Sequence, residues 1–159
     1  MKATFAFILL SLLMAASVHA QPEAPMAVPV VEQPWHDQGD YRVHFSTFTS
    51  DFLQPAAARA LDFTRANNRV IVNIALTQKR ADGSYGLGQA ATVKGTATNL
   101  MQQQKTLAFK PVVETDATYY LAELRFTNEE VMHFAITLQT PSGDTIDVKF
   151  ARKLYVNNQ

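Results

Sequence analysis

Met132-His133-Phe134-Ala135-Ile136-Thr137-Leu138-Gln139-Thr140-Pro141-Ser142-Gly143-Asp144-Thr145-Ile146-Asp147-Val148-Lys149-Phe150 reads as a strand, a turn and a second strand in order. In the first arm Met132, Phe134, Ile136 and Leu138 alternate with His133, Ala135 and Thr137. In the second, Ile146, Val148 and Phe150 alternate with Asp147, Lys149 and Ala151. Successive side chains of a strand point to opposite faces, so a period of two marks one buried face and one wet face. Pro141-Ser142-Gly143-Asp144 carries turn residues, so the two arms form a tight antiparallel hairpin. Continued past Phe150, the phase sends Arg152 inward, which predicts a bulge or an exposed end there. Leu154-Tyr155-Val156 is the last apolar run.

The same period recurs upstream. Tyr41, Val43 and Phe45 alternate with Arg42, His44 and Ser46. Val70, Val72, Ile74 and Leu76 alternate with Ile71, Asn73 and Ala75, which predicts a strand covered on most of both faces. Ala91, Val93, Gly95 and Ala97 alternate with Thr92, Lys94, Thr96 and Thr98, and Ala122, Leu124 and Phe126 with Leu121, Glu123 and Arg125. Leu107 and Phe109 predict a short strand before Pro111. Asp82-Gly83 is a hairpin signal, and Asn128-Glu129-Glu130 is a polar turn.

One segment reads as helical, Pro55-Ala56-Ala57-Ala58-Arg59-Ala60-Leu61. Proline suits the first turn and alanine is the best helix former. It should pack Phe52, Leu53 and Leu61 against a sheet edge. The pattern predicts an all-β fold, an antiparallel immunoglobulin-like β-sandwich of about seven strands with one short helical turn. The Cys-Trp-Cys core of a true immunoglobulin domain is absent.

The N-terminus has a separate logic. Lys2 precedes the apolar run Phe5 to Ala16, which ends at Val18-His19-Ala20. That is the order of a signal peptide over residues 1–20, with cleavage expected between Ala20 and Gln21 and export to the periplasm. A membrane span would need about 20 apolar residues, and Ser17 and His19 interrupt the run. No later apolar span follows, so none is expected after cleavage. Residues 21–38 hold four of the seven prolines and read as a Pro-rich flexible leader, which includes Trp35. The β-sandwich domain is then residues 39–159.

Cleavage leaves 139 residues, enough for one domain with a proper core. Thirteen basic residues face fourteen acidic ones once Lys2 is gone, so no strong field would steer nucleic acid. There is no cysteine, which excludes a thiolate zinc site, a cysteine nucleophile and a redox motif.

Several strings occur together in a fixed order: Gly39-Asp40-Tyr41-Arg42-Val43-His44, Phe52-Leu53-Gln54-Pro55, Asn73-Ile74, Gly95-Thr96-Ala97-Thr98-Asn99-Leu100, Tyr119-Tyr120-Leu121-Ala122-Glu123 and Phe150 to Tyr155. Over residues 38–156 the chain resembles a family of small exported Gram-negative proteins known as a domain of unknown function, DUF4426. The resemblance implies a periplasmic β-rich domain and carries over no catalytic residue.

Chemical motifs are weak throughout. His36, Asp37 and His44 match no defined metal spacing, and Glu129-Glu130 with His133 lacks the second histidine of a zinc-protease helix. Ser46, Ser50 and Ser142 sit in no nucleophile elbow. Gly83-Ser84-Tyr85-Gly86-Leu87-Gly88 has no phosphate-loop ending and reads as a hairpin loop. Four residues stand out as an interaction surface: Tyr85 in that loop, Asn99 at the head of a polar connection to Gln104, Tyr119, and His44 on a polar strand face. No catalytic, cofactor or metal residue is assigned. The expected role is a non-enzymatic protein-interaction module with an unidentified periplasmic or envelope partner. The alternative is a small-molecule or lipid binder with a pocket between the sheets, lined by Phe52-Leu53 and Tyr119-Tyr120.

Overall fold

Nine strands and one short helix form in the computed structural model, which describes residues 33–156. The segment read as a signal peptide and most of the expected leader lie outside the described residues. The strands are β1 Trp35–Gln38, β2 Tyr41–Thr49, β3 Arg69–Gln78, β4 Thr92–Asn99, β5 Gln104–Leu107, β6 Lys110–Val113, β7 Thr118–Arg125, β8 Glu130–Gln139 and β9 Thr145–Leu154. A 3-10 turn, Ser50–Phe52, and helix α1, Pro55–Ala60, fill the β2–β3 connection. No described helix is long and apolar enough to cross a membrane.

The strands build two antiparallel sheets, β1-β2-β3-β7-β6 and β5-β4-β8-β9. Their inner faces carry the alternating apolar residues read from the sequence. Val43 and Phe45 of β2 and Val70, Val72, Ile74 and Leu76 of β3 meet Phe134, Ile136 and Leu138 of β8 and Ile146, Val148 and Phe150 of β9. Phe150 is stacked between Phe45, at 4.5 Å, and Phe134, at 4.8 Å. This β-sandwich is the architecture that the hairpin 132–150 predicts.

The space between the sheets is therefore filled, and the segments expected to line a pocket there do not share one. Tyr120 belongs to the core. Leu53 and Tyr119 pack on the outer face of the five-stranded sheet, with Leu61 and Phe63, over Ile71 and Leu121. That second apolar cluster explains why β3 is covered on both faces. Phe52 stays exposed, and the residues flanking α1, Leu53, Leu61 and Phe63, cover a sheet face where the sequence suggested an edge.

Three further departures have local causes. Trp35–Gln38 is a strand, so the ordered fold begins before the boundary drawn at Gly39. The two-residue turn Gly39-Asp40, with Gly39 at φ 58°, pairs Asp37 with Arg42 and Trp35 with His44. Gln104–Phe109 splits into β5 and a crossing to β6, which contains Pro111. Proline is tolerated because β6 is an edge strand. The bond from Glu114 N–H to Ala117 C=O fixes the ladder phase, which turns the Pro111 nitrogen to the open side. Finally, β9 has no bulge at Arg152. The register runs unbroken from Gln139↔Thr145 to Glu130↔Leu154, with Arg152 opposite Met132. Its guanidinium turns aside, bonding the Ala151 carbonyl at 2.8 Å and lying 5.4 Å from the Phe150 ring centroid.

Candidate functional site

On the outer face of the five-stranded sheet, Arg42 projects from β2 beside two residues of β1. Asp37 is its cross-strand partner, and Trp35 lies two pairs further along, on the same face. Arg42 Nε donates to Asp37 Oδ1 at 2.6 Å and an Nη to Oδ2 at 2.8 Å, a two-point fork. The guanidinium lies 5.0 Å from the Trp35 ring centroid and 4.0 Å from that of Tyr85, so it contacts two aromatic faces.

Tyr85 reaches Arg42 because its loop folds back along β3. Arg80 N–H bonds Ser84 C=O, Lys79 bridges Tyr85, Gly86 N–H bonds Gln78 C=O and Gln89 N–H bonds Leu76 C=O. Gly83, at φ 83°, makes the turn, and the Asp82 carboxylate accepts from the Ser84 N–H and hydroxyl. Those bonds hold Asp82 below the usual carboxylate range.

His44 completes the group. It pairs with Trp35 across the ladder, and its Nε2 lies 3.3 Å from Thr77 Oγ1. The Thr77 hydroxyl donates to the Arg42 carbonyl. Its single proton is thereby used, so it accepts from a His44 Nε2–H. Burial, then the Arg42 charge, lowers the His44 pKa below its ordinary 6.5, so the ring is neutral at pH 7. The bond to Arg42 holds the Asp37 carboxyl below its ordinary 3.8.

Two of the four expected surface residues, Tyr85 and His44, thus converge on Arg42. The other two do different work. Asn99 is buried on the other sheet and organises the β4–β5 turn. Its Oδ1 accepts from Met101 N–H at 3.1 Å and Gln103 N–H at 2.9 Å. Its Nδ2 donates to Gln103 Oε1 and Glu130 Oε1. Burial alone would raise the Glu130 carboxyl, but bonds from Thr127 and Asn99 outweigh it and hold the group low. Tyr119 is half-buried against the outer apolar cluster and donates to Glu114 Oε1 at 3.0 Å. Burial, then that carboxylate, raises its pKa.

Sequence reading missed Trp35, Arg42 and the pairing role of Asp37. The signal was present: Trp35-x-Asp37 and Arg42-x-His44 flank a two-residue Gly39-Asp40 turn, which sets all four on one face.

The donor set of a metal centre does not assemble among the described residues, where no three histidine or carboxylate groups converge. His36 pairs with Val43 and His44 with Trp35, so the two histidines point to opposite faces. His133 lies on the other sheet, and the Asp37 oxygens are engaged by Arg42. The arrangement around Arg42 brings together an ion-paired guanidinium, two aromatic rings and a neutral imidazole.

The fold and site define an antiparallel β-sandwich with a surface arginine–aromatic cluster. The chain belongs to the family described as a domain of unknown function, DUF4426, whose model matches residues 35–157. That match begins at the first residue of β1. A DUF4426 family protein from Pseudomonas aeruginosa PAO1 has a crystal structure 27% identical to this chain, with a TM-score of 0.69 over 78% of this chain and 95% of that one. FetP from uropathogenic Escherichia coli strain F11, recombinantly expressed in the periplasm, is 15% identical, with a TM-score of 0.54 over 78% and 94%. A copper-bound variant of FetP is likewise 15% identical, with a TM-score of 0.54 over 79% and 91%. The likeness to FetP is one of fold. No curated protein matches this chain.

Proposed function

We propose that the chain acts in the periplasm as a non-enzymatic protein-interaction module. The observation that carries the reading is the Trp35–Arg42–Tyr85 stack, locked by Asp37. Tryptophan, tyrosine and arginine are the residues that dominate binding hot spots, and rings already held in place lose little freedom on contact. The order of residues 1–20 supports export. FetP, of the same fold, was itself produced in the periplasm.

The test is crosslinked affinity capture of the tagged mature chain from a periplasmic extract, beside Trp35→Ala and Tyr85→Ala. The expected result is one protein retained by the native chain and lost from both variants, which melt as the native chain does. Retention unchanged in both variants, or nothing retained by the native chain, overturns the reading.

A ligand-binding reading draws on a depression that includes Phe52, one of the residues expected to line a pocket. The depression, of about 240 Å³ at one end of the sandwich, is lined by Phe48, Phe52, Val70, Phe126, Leu154 and Tyr155. It is small for a ligand pocket, since such sites span about 300–1,000 Å³. Native mass spectrometry of chain purified under mild conditions, showing an added mass lost in Phe52→Ser, would move the assignment to that site.

A further inference from the structure

The outer edge of β9 is complementary to itself. Among the described residues β9 pairs only with β8. The bond from Thr140 N–H to Asp144 C=O fixes the phase of that ladder. Ile146, Val148, Phe150 and Arg152 therefore turn their backbone groups to β8, while Thr145, Asp147, Lys149 and Ala151 turn theirs outward. Two side chains confirm the phase by capping outward carbonyls: Gln38 Nε2 on Thr145 at 2.9 Å, and the Arg152 guanidinium on Ala151 at 2.8 Å. Between these caps the outward N–H and C=O groups of Asp147 and Lys149 form a window on the edge.

We infer that this window pairs with the same window of a second copy, antiparallel about Val148. In that register Asp147 of each copy faces Lys149 of the other, so two opposite-charge pairs form. Four backbone hydrogen bonds close between outward-turned groups. Asp144 falls opposite Arg152, and Ile146 opposite Phe150. The alternatives are worse on charge or geometry. A shift that centres the pair on Asp147 sets carboxylate on carboxylate, and one centred on Lys149 sets ammonium on ammonium. A half-step shift opposes outward backbone groups with inward ones. Opposite charges on facing strand residues stabilise and like charges destabilise, so the sequence selects one register. The Asp147 and Lys149 side chains are exposed, and Asp147 keeps one carboxylate oxygen beyond the bond from the Thr137 hydroxyl. The result is a continuous eight-stranded sheet across two copies. This inference rests on β9 alone and is independent of the Arg42 cluster.

Sedimentation velocity of the mature chain over a concentration series tests it, with Asp147→Lys, Lys149→Asp and the double exchange. The native chain is expected to dimerise, and each single variant to weaken dimerisation about tenfold or more by setting like charges opposed. The double exchange restores complementarity in the same register and should recover the native dissociation constant to within about threefold. Circular dichroism melts establish that each variant is folded. The double exchange also keeps the test valid if one single variant folds poorly. A chain that stays monomeric up to about 1 mM overturns the proposal. So does a dimer indifferent to the single exchanges, or one that the double exchange does not restore. An edge occupied instead by residues 21–32 of the same chain would appear as the first of these outcomes.

Discussion

Asp37 sits opposite Arg42 across the β1–β2 ladder, and their side chains close a two-point ion pair at 2.6 and 2.8 Å. The pair holds β1 in place and sets the guanidinium against Trp35 and Tyr85. Trp35 is the chain's single tryptophan, so its fluorescence reports on this site. Asp37→Asn should shift Trp35 emission to longer wavelength and speed amide exchange in residues 35–38. The global melting temperature should change little, because exposed ion pairs contribute little to stability. An unchanged spectrum would separate the pair from the position of the ring.

The site should respond to acid in two steps. His44 and Asp37 both have lowered folded pKa values, so the unfolded chain takes up each proton first as pH falls. Each therefore contributes stability that is complete above its ordinary pKa and is lost as pH drops through the lower folded value. The first loss begins below pH 6.5 and the second below 3.8. Denaturant melts across pH 3 to 8 check this: His44→Gln should remove the step below 6.5 and leave the acid one.

Gly88→Ala should destabilise the fold by about 3 kcal/mol, since overpacking against backbone costs roughly 1–3 kcal/mol or more. An added Cβ would run into the Thr118 carbonyl oxygen, which has no rotamer with which to retreat. Gly143→Ala is the contrast: its φ of 94° is strained for alanine but the space is open, so about 1 kcal/mol is expected. Urea unfolding of both variants measures the difference.

Phe150→Ala should cost about 3–5 kcal/mol, the range for removing a buried phenylalanine. The side chain is held between Phe45 and Phe134 and joins the two sheets. A chemical denaturation midpoint close to that of the native chain would show that the stack relaxes to fill the gap.

Asn99→Ala should cost about 2 kcal/mol or more, because buried partners lose their hydrogen bonds. The amide exchange of Met101 and Gln103, which donate to Asn99 Oδ1, should rise with it. A stability loss with the exchange of both amides unchanged would show that Asn99 does not act through these turn bonds.

Period-two alternation made β3, β8 and β9 legible, and Pro55 with its alanines made α1 legible, because each pattern is local. The sandwich follows from those strands, since one apolar face per strand must be buried against another sheet. β1 was not legible: within a proline-rich stretch, Trp35-His36-Asp37-Gln38 has no alternation of its own and is a strand because β2 lies beside it. The short strand was expected to stop before Pro111, yet β6 runs through that residue, since an edge leaves the missing N–H without cost. Asn99 looked like a polar surface residue until the turn buried it among four hydrogen bonds. Composition and periodicity determined which segments extend and which face of each is apolar. Only the tertiary structure decided which strands sit at edges and which side chains meet, because pairing brings together groups whose separation along the chain carries no signal of their contact.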